Sequence, residues 1–337
     1  MLTAVEGVLL ALMLATGVAC SVSDIRRGIV RNSILLKTAM AAAIVQCVYC
    51  ARFAQPHALM WMGCMALADA LAALMYAAGL WAAGDAKLFM ALYLCVPGRL
   101  LEGLGLSASV VPYLYIFIPA MIWLGVDTLW QATHRAERHG SARFKVSHLG
   151  EMVVVALETF AVQAVLGWVL PDFFAENGLF CAALTLVYAL LCAQQSVMKS
   201  PVAVLLHMAG LLIATILGGW RGGVAPVWVY AVTLLVLAFT RWASLYNYRR
   251  IPTERVQAGM ILSAATVFGF APSRVRGLPD DASEGMAARL TADQANAVRR
   301  WANTAKGQPT VVIVRKMPFA ILIGLGFALW MAMRLRG

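Results

Sequence analysis

Asp24-Ile25-Arg26-Arg27-Gly28-Ile29-Val30-Arg31-Asn32 is a short polar stretch between two apolar runs, each long enough to cross a bilayer. A second stretch, Ala82-Ala83-Gly84-Asp85-Ala86-Lys87, follows the third apolar run in the same way. Two crossings separate the stretches, so we expect both to lie at the same membrane face. Each contains one aspartate, Asp24 or Asp85. Two carboxylates held close together are a combination that can hydrolyse a peptide bond.

The composition is that of a membrane protein. The chain has 337 residues, of which 62% are hydrophobic and 13% are charged, and its mean hydropathy is +0.78. A water-soluble domain carries roughly twice that share of charged residues. We therefore expect an all-α polytopic membrane protein of about ten transmembrane helices, with a small cytoplasmic α+β segment.

The predicted spans are separated by polar connections. They lie at 2–23, 33–51, 58–81, 88–104, 108–130, 151–170, 178–198, 201–219, 225–246 and 317–333. The span at 88–104 contains Pro97-Gly98-Arg99, which predicts a short or broken helix there. An even number of crossings puts both termini on the same side of the membrane.

The predicted topology accounts for the net charge of +11, so no nucleic-acid partner is needed to explain it. On the predicted spans, all but five of the 27 Lys and Arg residues fall on one side of the bilayer. The basic side of a membrane protein is normally the cytoplasmic side, so both aspartates face the cytoplasm. The five exceptions are Arg52, Arg99, Arg221, Arg334 and Arg336.

The polar content divides the chain into five predicted segments. They are a transmembrane core at 1–130, a basic cytoplasmic loop at 131–150, additional transmembrane helices at 151–246, a soluble cytoplasmic segment at 247–316 and a C-terminal transmembrane helix at 317–337. In the soluble segment, Thr291-Ala292-Asp293-Gln294 has capping-box spacing and predicts a helix that ends near Lys306. Residues 311–314 predict a strand.

Neither the histidines nor the cysteines predict a metal site or a cofactor. The three histidines of the loop 131–150 are irregularly spaced among cations, which favours a solvated, lipid-facing loop. The seven cysteines lie mostly in apolar runs, where cysteine behaves as a small hydrophobe. Cys47 and Cys50 form one C-x-x-C, but no second pair or nearby histidine completes a zinc site.

Peptide hydrolysis by two aspartates needs one ionised carboxylate to take a proton from water and one protonated carboxyl to donate to the carbonyl oxygen. Two acids a few ångströms apart share a proton because both cannot ionise cheaply. Gly84 lets the backbone turn or a substrate approach closely. Lys87 either favours the ionised form or anchors its helix at the interface. Spacing alone also allows a simpler interpretation, in which Asp24 pairs with Arg26 and Arg27 at the membrane surface.

Two motifs resemble those of type IV prepilin peptidases. Asp24-x-Arg26, followed by Ile29-Val30 and Asn32, resembles their first aspartate motif. The stretch 82–88 resembles their second motif, Gly-x-Gly-Asp-x-Lys-Leu, the signature of GxGD-type membrane aspartyl proteases. The resemblance covers about residues 1–130. It departs from the family at Arg31 and Ala82, where Pro and Gly are usual.

The resemblance implies a membrane aspartyl endopeptidase with Asp24 and Asp85 as its catalytic pair. Its substrates would be prepilin-like or pseudopilin-like membrane proteins, cut after a basic leader at the cytoplasmic face of the inner membrane. Methylating family members carry paired C-x-x-C motifs in an extra loop that this sequence lacks, so proteolysis without N-methylation is implied. Further partners are the lipid bilayer and pilus or secretion assembly proteins. The supporting residues are Gly84, Lys87, Asn32 and Arg26.

Other ionisable residues lie within or near the apolar runs. Asp69 is on the same predicted span as the second aspartate and about four turns before it. We expect Asp69, Glu158 and His207 to form interhelical hydrogen bonds. Asp127 and Glu151 lie near cytoplasmic ends of spans, where they can attract a basic leader.

Two other functions stay open at this point. Ionisable residues inside a membrane also mark the path of an ion-coupled transporter. The soluble segment 247–316 would equally suit a non-catalytic assembly or sensory protein. Against the transporter, the two halves of the sequence contain no matching inverted segments.

Overall fold

The computed structural model shows a predominantly helical membrane protein. It describes residues 3–52, 55–77, 80–133, 146–194, 200–218, 227–244, 248–284, 288–315 and 317–336. Among these residues, six helices are long and apolar enough to cross a membrane, and shorter apolar helices accompany them. The prediction of a helical membrane protein is confirmed, and the count of about ten spans stays a prediction.

The described helices follow the apolar runs closely. They are α1 (Ala4–Arg27), α2 (Asn32–Arg52), α3 (Gln55–Ala77), α4 (Ala83–Leu94), α5 (Val111–Thr133), α6 (Val146–Val169), α7 (Pro171–Glu176), α8 (Gly178–Gln194), α9 (Pro201–Gly218), α10 (Val227–Ser244), α11 (Ala264–Phe268), α12 (Ala292–Ala302) and α13 (Phe319–Arg336). Large apolar side chains such as Leu59 and Ile44 are exposed, as expected of a surface that faces lipid. Most of the predicted basic loop, residues 134–145, lies outside the described residues.

The segment predicted as a span at 88–104 is not one continuous helix. α4 ends at Leu94 after 12 residues. Turns of 3-10 helix follow at Gly98–Leu101 and Gly105–Ser109. Pro97 has no N–H and cannot continue the helix, and Gln46 Nε2 donates to the carbonyls of Leu94 and Val96 at 2.9 and 2.7 Å. The carbonyl groups freed by the break therefore accept hydrogen bonds from within the protein, which is necessary because the membrane interior offers no water.

Contacts at both ends show that α4 and the turn after it run antiparallel to α1. Near the start of α1, the buried carboxylate of Glu6 accepts a hydrogen bond from Arg99 Nε at 2.9 Å and another from the Tyr49 hydroxyl at 2.9 Å. Beyond the end of α1, Val30 packs against Gly84. α1, with 24 residues, is about 36 Å long, whereas α4, with 12 residues, is about 18 Å long. The turns that follow α4 therefore run beside the half of α1 that α4 does not reach.

The C-terminal helix α13 packs along α1 and also reaches α5. α1 and α13 meet at Gly17 and Gly324, where a Cβ atom on Gly17 would lie 3.4 Å from the Gly324 Cα. Small residues at such a crossing let membrane helices approach closely. A Cβ atom on Gly326 would lie 2.6 Å from Ile116 Cγ1 and 3.0 Å from the Ile116 Cα. Position 326 therefore requires glycine.

Aromatic side chains join α4, α5 and α13 in one core. The Phe89 and Tyr113 ring centroids are 4.4 Å apart, and Trp81, just before α4, stacks on Tyr113 at 5.4 Å. Phe327 meets the edge of Phe89 at 5.2 Å. Aromatic pairs at these distances contribute roughly 0.5–1.5 kcal/mol each beyond the area they bury. This cluster holds the first turn of α4 in place.

The chain divides into two compact units. The first comprises Met1–Met121, Phe144–Thr240 and Pro318–Gly337, and the second comprises Ile122–Arg143 and Arg241–Met317. Within the second unit, the described strands β1 (Tyr248–Pro252), β2 (Ile261–Leu262) and β3 (Thr310–Val314) form an antiparallel sheet in the order β1-β3-β2. The α+β character of this segment and the predicted strand are thus present, and its cytoplasmic location stays a prediction.

The capping box predicted at Thr291 is confirmed. The Gln294 N–H donates to Thr291 Oγ1 at 3.2 Å, and the Gln294 side chain accepts from the Thr291 N–H at 2.9 Å. α12 ends at Ala302, earlier than predicted, after burying Trp301 against Phe270.

Burial and a hydrogen bond to Glu284 raise the pKa of the Tyr248 hydroxyl in the same unit.

Replacing Gly326 with alanine should destabilise the fold. The new methyl group would overlap Ile116, including its backbone, so we expect the free energy of unfolding to fall by about 1–3 kcal/mol. Gly63→Ala is the matched control, because nothing lies within 4 Å of its Cβ position on α3. Thermal unfolding in detergent measures both variants. Equal melting temperatures would contradict the close packing of α13 on α5.

Candidate functional site

Asp24 lies in the last turn of α1 and is 7% exposed. Its Oδ2 accepts a hydrogen bond from the Ala320 backbone N–H at 3.3 Å. Ala320 is in the first turn of α13, where N–H groups have no partner within the helix and the dipole favours a nearby carboxylate. The first aspartate is therefore held by a helix that begins almost 300 residues later.

The end of α1 turns sharply after Asp24. Gly28 caps the helix in the left-handed conformation, with φ of 65°, and its N–H donates to the Asp24 carbonyl at 2.7 Å. A left-handed cap is the ordinary role of glycine at a helix end. The chain then passes through Val30 to α2, so the sharp turn keeps the start of α2 close to Asp24.

Asp85 lies in the first turn of α4. Its Oδ2 accepts a hydrogen bond from the backbone N–H of Ala82, the residue that caps the helix, at 3.3 Å. The side chain is neither fully buried nor fully exposed. A carboxylate at this position interacts favourably with the helix dipole. Each aspartate is therefore next to the N-terminus of a helix. Asp85 is in the first turn of α4 itself, and Asp24, at the end of α1, lies beside the first turn of α13.

The two motifs contact each other through Gly84 and Val30. A Cβ atom built on Gly84 would lie 3.2 Å from the Val30 Cβ, closer than most such contacts in proteins. α1 also packs directly against α4. Residues of both predicted motifs are thus in van der Waals contact, and each stands within a few residues of an aspartate.

The departures from the family pattern have simple structural consequences. Ala82 has φ of −75° and ψ of 154°, an extended conformation that alanine adopts without strain. Glycine is therefore not required there. The Arg31 carbonyl accepts the N–H groups of Ile34 and Leu35 at 3.1 and 3.3 Å, so Arg31 starts α2 by its main chain.

The four predicted supporting residues lie in three different surroundings. Gly84 provides the close contact with Val30, and Asn32 and Lys87 line a groove between α2, α3 and α4. Arg26 is exposed at the end of α1. Within the described part of the chain, neither Arg26 nor Arg27 forms an ion pair with Asp24. This geometry does not support the interpretation of Asp24 as an interfacial ion-pair partner.

Sequence reasoning missed the contribution of α13 to the site. The Ala320 N–H is a backbone group, so no side chain in the sequence indicates its role. The available signal was Lys316-Met317-Pro318, which marks the start of the last apolar run. Nothing in that stretch identifies α1 as the helix that α13 contacts.

Two expectations about other acids are wrong. Asp69 and Asp85 are not on one helix, because α3 ends at Ala77 and α4 begins at Ala83. Asp127 is not available to attract a basic leader, because Arg315 binds it through two hydrogen bonds of 2.7 and 2.8 Å. Both errors arose because a sequence shows neither where a helix breaks inside an apolar run nor which distant cation returns to an acid.

A second polar cluster lies between α6, α8 and α9. His207 accepts from or donates to the Tyr188 hydroxyl at 2.7 Å, as expected of an interhelical hydrogen bond. The Glu158 side chain is fully buried, with Oε1 3.7 Å from His207 Nδ1. Neither carboxyl oxygen of Glu158 has a hydrogen-bond partner among the described residues. The expected hydrogen bond is thus present for His207 and missing for Glu158.

Comparison of the chain with protein-family models, with curated proteins and with solved structures gives no match. Its function must be argued from the site itself. The site combines the contact between the two aspartate motifs, the N–H groups that hold each aspartate, and the groove beside the motifs.

A cross-linking experiment tests the contact between the motifs without assuming any activity. In a variant whose seven native cysteines are replaced, Val30→Cys with Gly84→Cys should form a disulfide under mild oxidation, because the Cβ positions are close to disulfide distance. Peptide mapping by mass spectrometry detects the bond. Gly63→Cys paired with Val30→Cys is the control. Absence of the 30–84 bond, or equal yields for the two pairs, would contradict the contact.

Proposed function

We propose that this protein is a membrane aspartyl endopeptidase of the prepilin peptidase type. It removes the basic leader of prepilin-like or pseudopilin-like membrane proteins and does not methylate the product. The observation that carries the proposal is the contact between Gly84 and Val30, which brings the start of the Asp85 helix against the turn that follows Asp24. A pair of cooperating carboxylates needs its two motifs side by side, and this contact supports that requirement.

The proposed reaction uses the two carboxyl groups as base and acid. One ionised carboxylate takes a proton from a water molecule, whose oxygen attacks the carbonyl carbon of the scissile peptide bond. The other, protonated, carboxyl donates its proton to the carbonyl oxygen. Collapse of the tetrahedral intermediate breaks the C–N bond. The leaving nitrogen takes the proton that the first carboxylate removed from water, and a hydroxyl proton of the intermediate returns to the second carboxylate, which gives a free amine and a carboxylic acid. The pair shares one proton, so its titration belongs to both groups together.

Substrate geometry agrees with the position of the two acids at helix ends. A prepilin-like substrate has its basic leader in the cytoplasm and its apolar helix in the bilayer, which puts the scissile bond at the interface. A helix hides its peptide bonds in hydrogen bonds, so the substrate must be extended at the cut. Exposed Arg26 and Arg27, next to Asp24, are suited to anchoring this end of α1 at a cytoplasmic surface.

The same proposal locates the protein in the inner membrane, with the site facing the cytoplasm. The bias of Lys and Arg toward one side supports this orientation. The α+β segment at 247–316 is basic, so we assign it to a protein partner of pilus or secretion assembly or to anionic lipid. Repulsion between like charges argues against its binding a basic leader.

An ion-coupled transporter is the second candidate, and Glu158 is the observation that favours it. A buried carboxylate with no hydrogen-bond donor among the described residues is costly in a membrane and is often a site for a proton or an ion. Under this alternative, Glu158 and His207 carry the coupling ion, and proteoliposomes containing the protein take up a solute with protons.

Cleavage of a prepilin-like protein in proteoliposomes tests the proposal. Wild type should remove the leader, and Asp24→Asn or Asp85→Asn should each slow cleavage by about 10²- to 10⁴-fold, because each loses a proton-transfer group. Asp172→Asn, an exposed acid on α7, is the matched control and should cleave normally. Mass spectrometry of the product measures both cleavage and methylation.

Several outcomes would overturn this proposal. Intact substrate with wild type rejects the protease, and cleavage that survives either aspartate substitution rejects the pair. Proton-coupled uptake that is lost in Glu158→Gln, without cleavage by wild type, favours the transporter. A correctly folded protein with neither activity favours an assembly or sensory role.

A further inference from the structure

A groove of about 570 Å³ lies between α2, α3 and α4. Its walls are mainly apolar, with Leu36, Met65 and Leu94 among the lining residues. Leu36 is 63% exposed, so one side of the groove opens to the surroundings of the helices, which in the membrane are lipid. The groove therefore suits an apolar occupant.

One end of the groove is lined by residues of both aspartate motifs. Asn32, the first residue of α2, lines it and follows the turn that contacts Gly84. Lys87 also lines it, two residues after Asp85 on the same helix. From Lys87 to Leu94 the wall rises by about 10 Å, which is the length of about two helical turns. An occupant of the groove would thus have one end against the two motifs that contain the aspartates.

Two ionisable side chains, one acidic and one basic, line the groove. Asp69 lines it from α3, and its Oδ1 is buried without a hydrogen-bond donor among the described residues. Lys87 is exposed and forms no ion pair or hydrogen bond with the part of the chain that the structure describes. A buried carboxyl oxygen within a membrane is expensive to leave without a hydrogen-bond donor. Asp69 as a whole is partly exposed where it lines the groove, so an occupant can donate a hydrogen bond to its carboxyl group.

We propose that the groove holds the first two turns of the substrate's apolar segment, immediately after the scissile bond. This inference rests on the proposed function. The occupant is a polypeptide helix whose apolar side chains contact the groove and which carries one donor, such as a hydroxyl or an amino group, at the depth of Asp69. A lipid acyl chain matches the apolar walls but offers no donor to the carboxyl. The position of the groove against both aspartate motifs therefore favours the substrate over lipid.

Site-specific photo-cross-linking in the full-length protein tests this placement. A benzoylphenylalanine is introduced in place of Met65, inside the groove, or in place of Leu74, on the opposite side of α3 by helical periodicity and 44% exposed. Both carry Asp24→Asn so that the prepilin-like substrate stays intact in the proteoliposome. We expect substrate adducts from position 65 that map to the segment after the cleavage point, and at least about fivefold fewer from position 74.

Kinetics of Asp69 variants provide the second measurement. Asp69→Leu removes the hydrogen-bond acceptor for the substrate. KM should rise by about threefold to fifteenfold, which is the loss in affinity expected when one hydrogen bond within a membrane is removed, and kcat should change less than about twofold. Asp69→Asn keeps a carbonyl acceptor and should restore most of the affinity. A purely structural role would lower the thermal stability of both variants and would not separate KM from kcat.

The outcomes distinguish this inference from the function on which it rests. Cleavage by wild type, together with equal or absent substrate adducts at positions 65 and 74, overturns the groove and leaves the protease intact. Adducts at position 65 that contain only lipid overturn it as well. If wild type does not cleave, the proposed function fails, and the inference fails with it.

Discussion

The packing of α13 against α1 is the contact on which the rest of the first unit depends. It brings two glycine backbones together at positions 17 and 324, and it positions the Ala320 N–H to hold Asp24. Farther along, α13 meets α5 at Gly326, and Arg334 donates to the carbonyls of Leu100 and Glu102 in the turn after α4, at 2.7 Å each. One helix thus holds the first aspartate and supports the broken segment that follows the second.

A second constraint applies at the end of α4, the need to satisfy every backbone group within the membrane. Pro97 ends the helix, and the freed carbonyls are bound by Gln46 and by Trp61, whose Nε1 donates to Val96 at 3.0 Å. Because α4 is a separate helix and not the end of α3, it has its own N-terminus. Asp85 lies in that first turn, where the helix dipole favours a carboxylate.

Polar groups in the apolar part of the chain differ in how well they are satisfied. The carboxylate of Glu6 is bound by Arg99, Tyr49 and the Thr3 N–H, which is the pattern of a structural group. In the described residues, Asp69 Oδ1 and both oxygens of Glu158 have no such partners. Unpaired polar groups reduce stability, so a fold that keeps them is expected to use them. This contrast supports our assigning a role to the groove and keeps Glu158 as the observation in favour of the second candidate.

The sequence by itself determined the class of the protein, most helix positions, the capping box at Thr291 and the two aspartate motifs. These features depend on local composition and on spacing along the chain, which a sequence displays directly. Tertiary structure decided what distant segments do: that Ala320 binds Asp24, that Arg315 neutralises Asp127 and that Asp69 belongs to a different helix from Asp85. It also showed that Ala82, at a position where the similar motif of prepilin peptidases has glycine, has backbone angles that need no left-handed residue. Such contacts join residues far apart in sequence, through backbone groups and helix ends that composition does not mark.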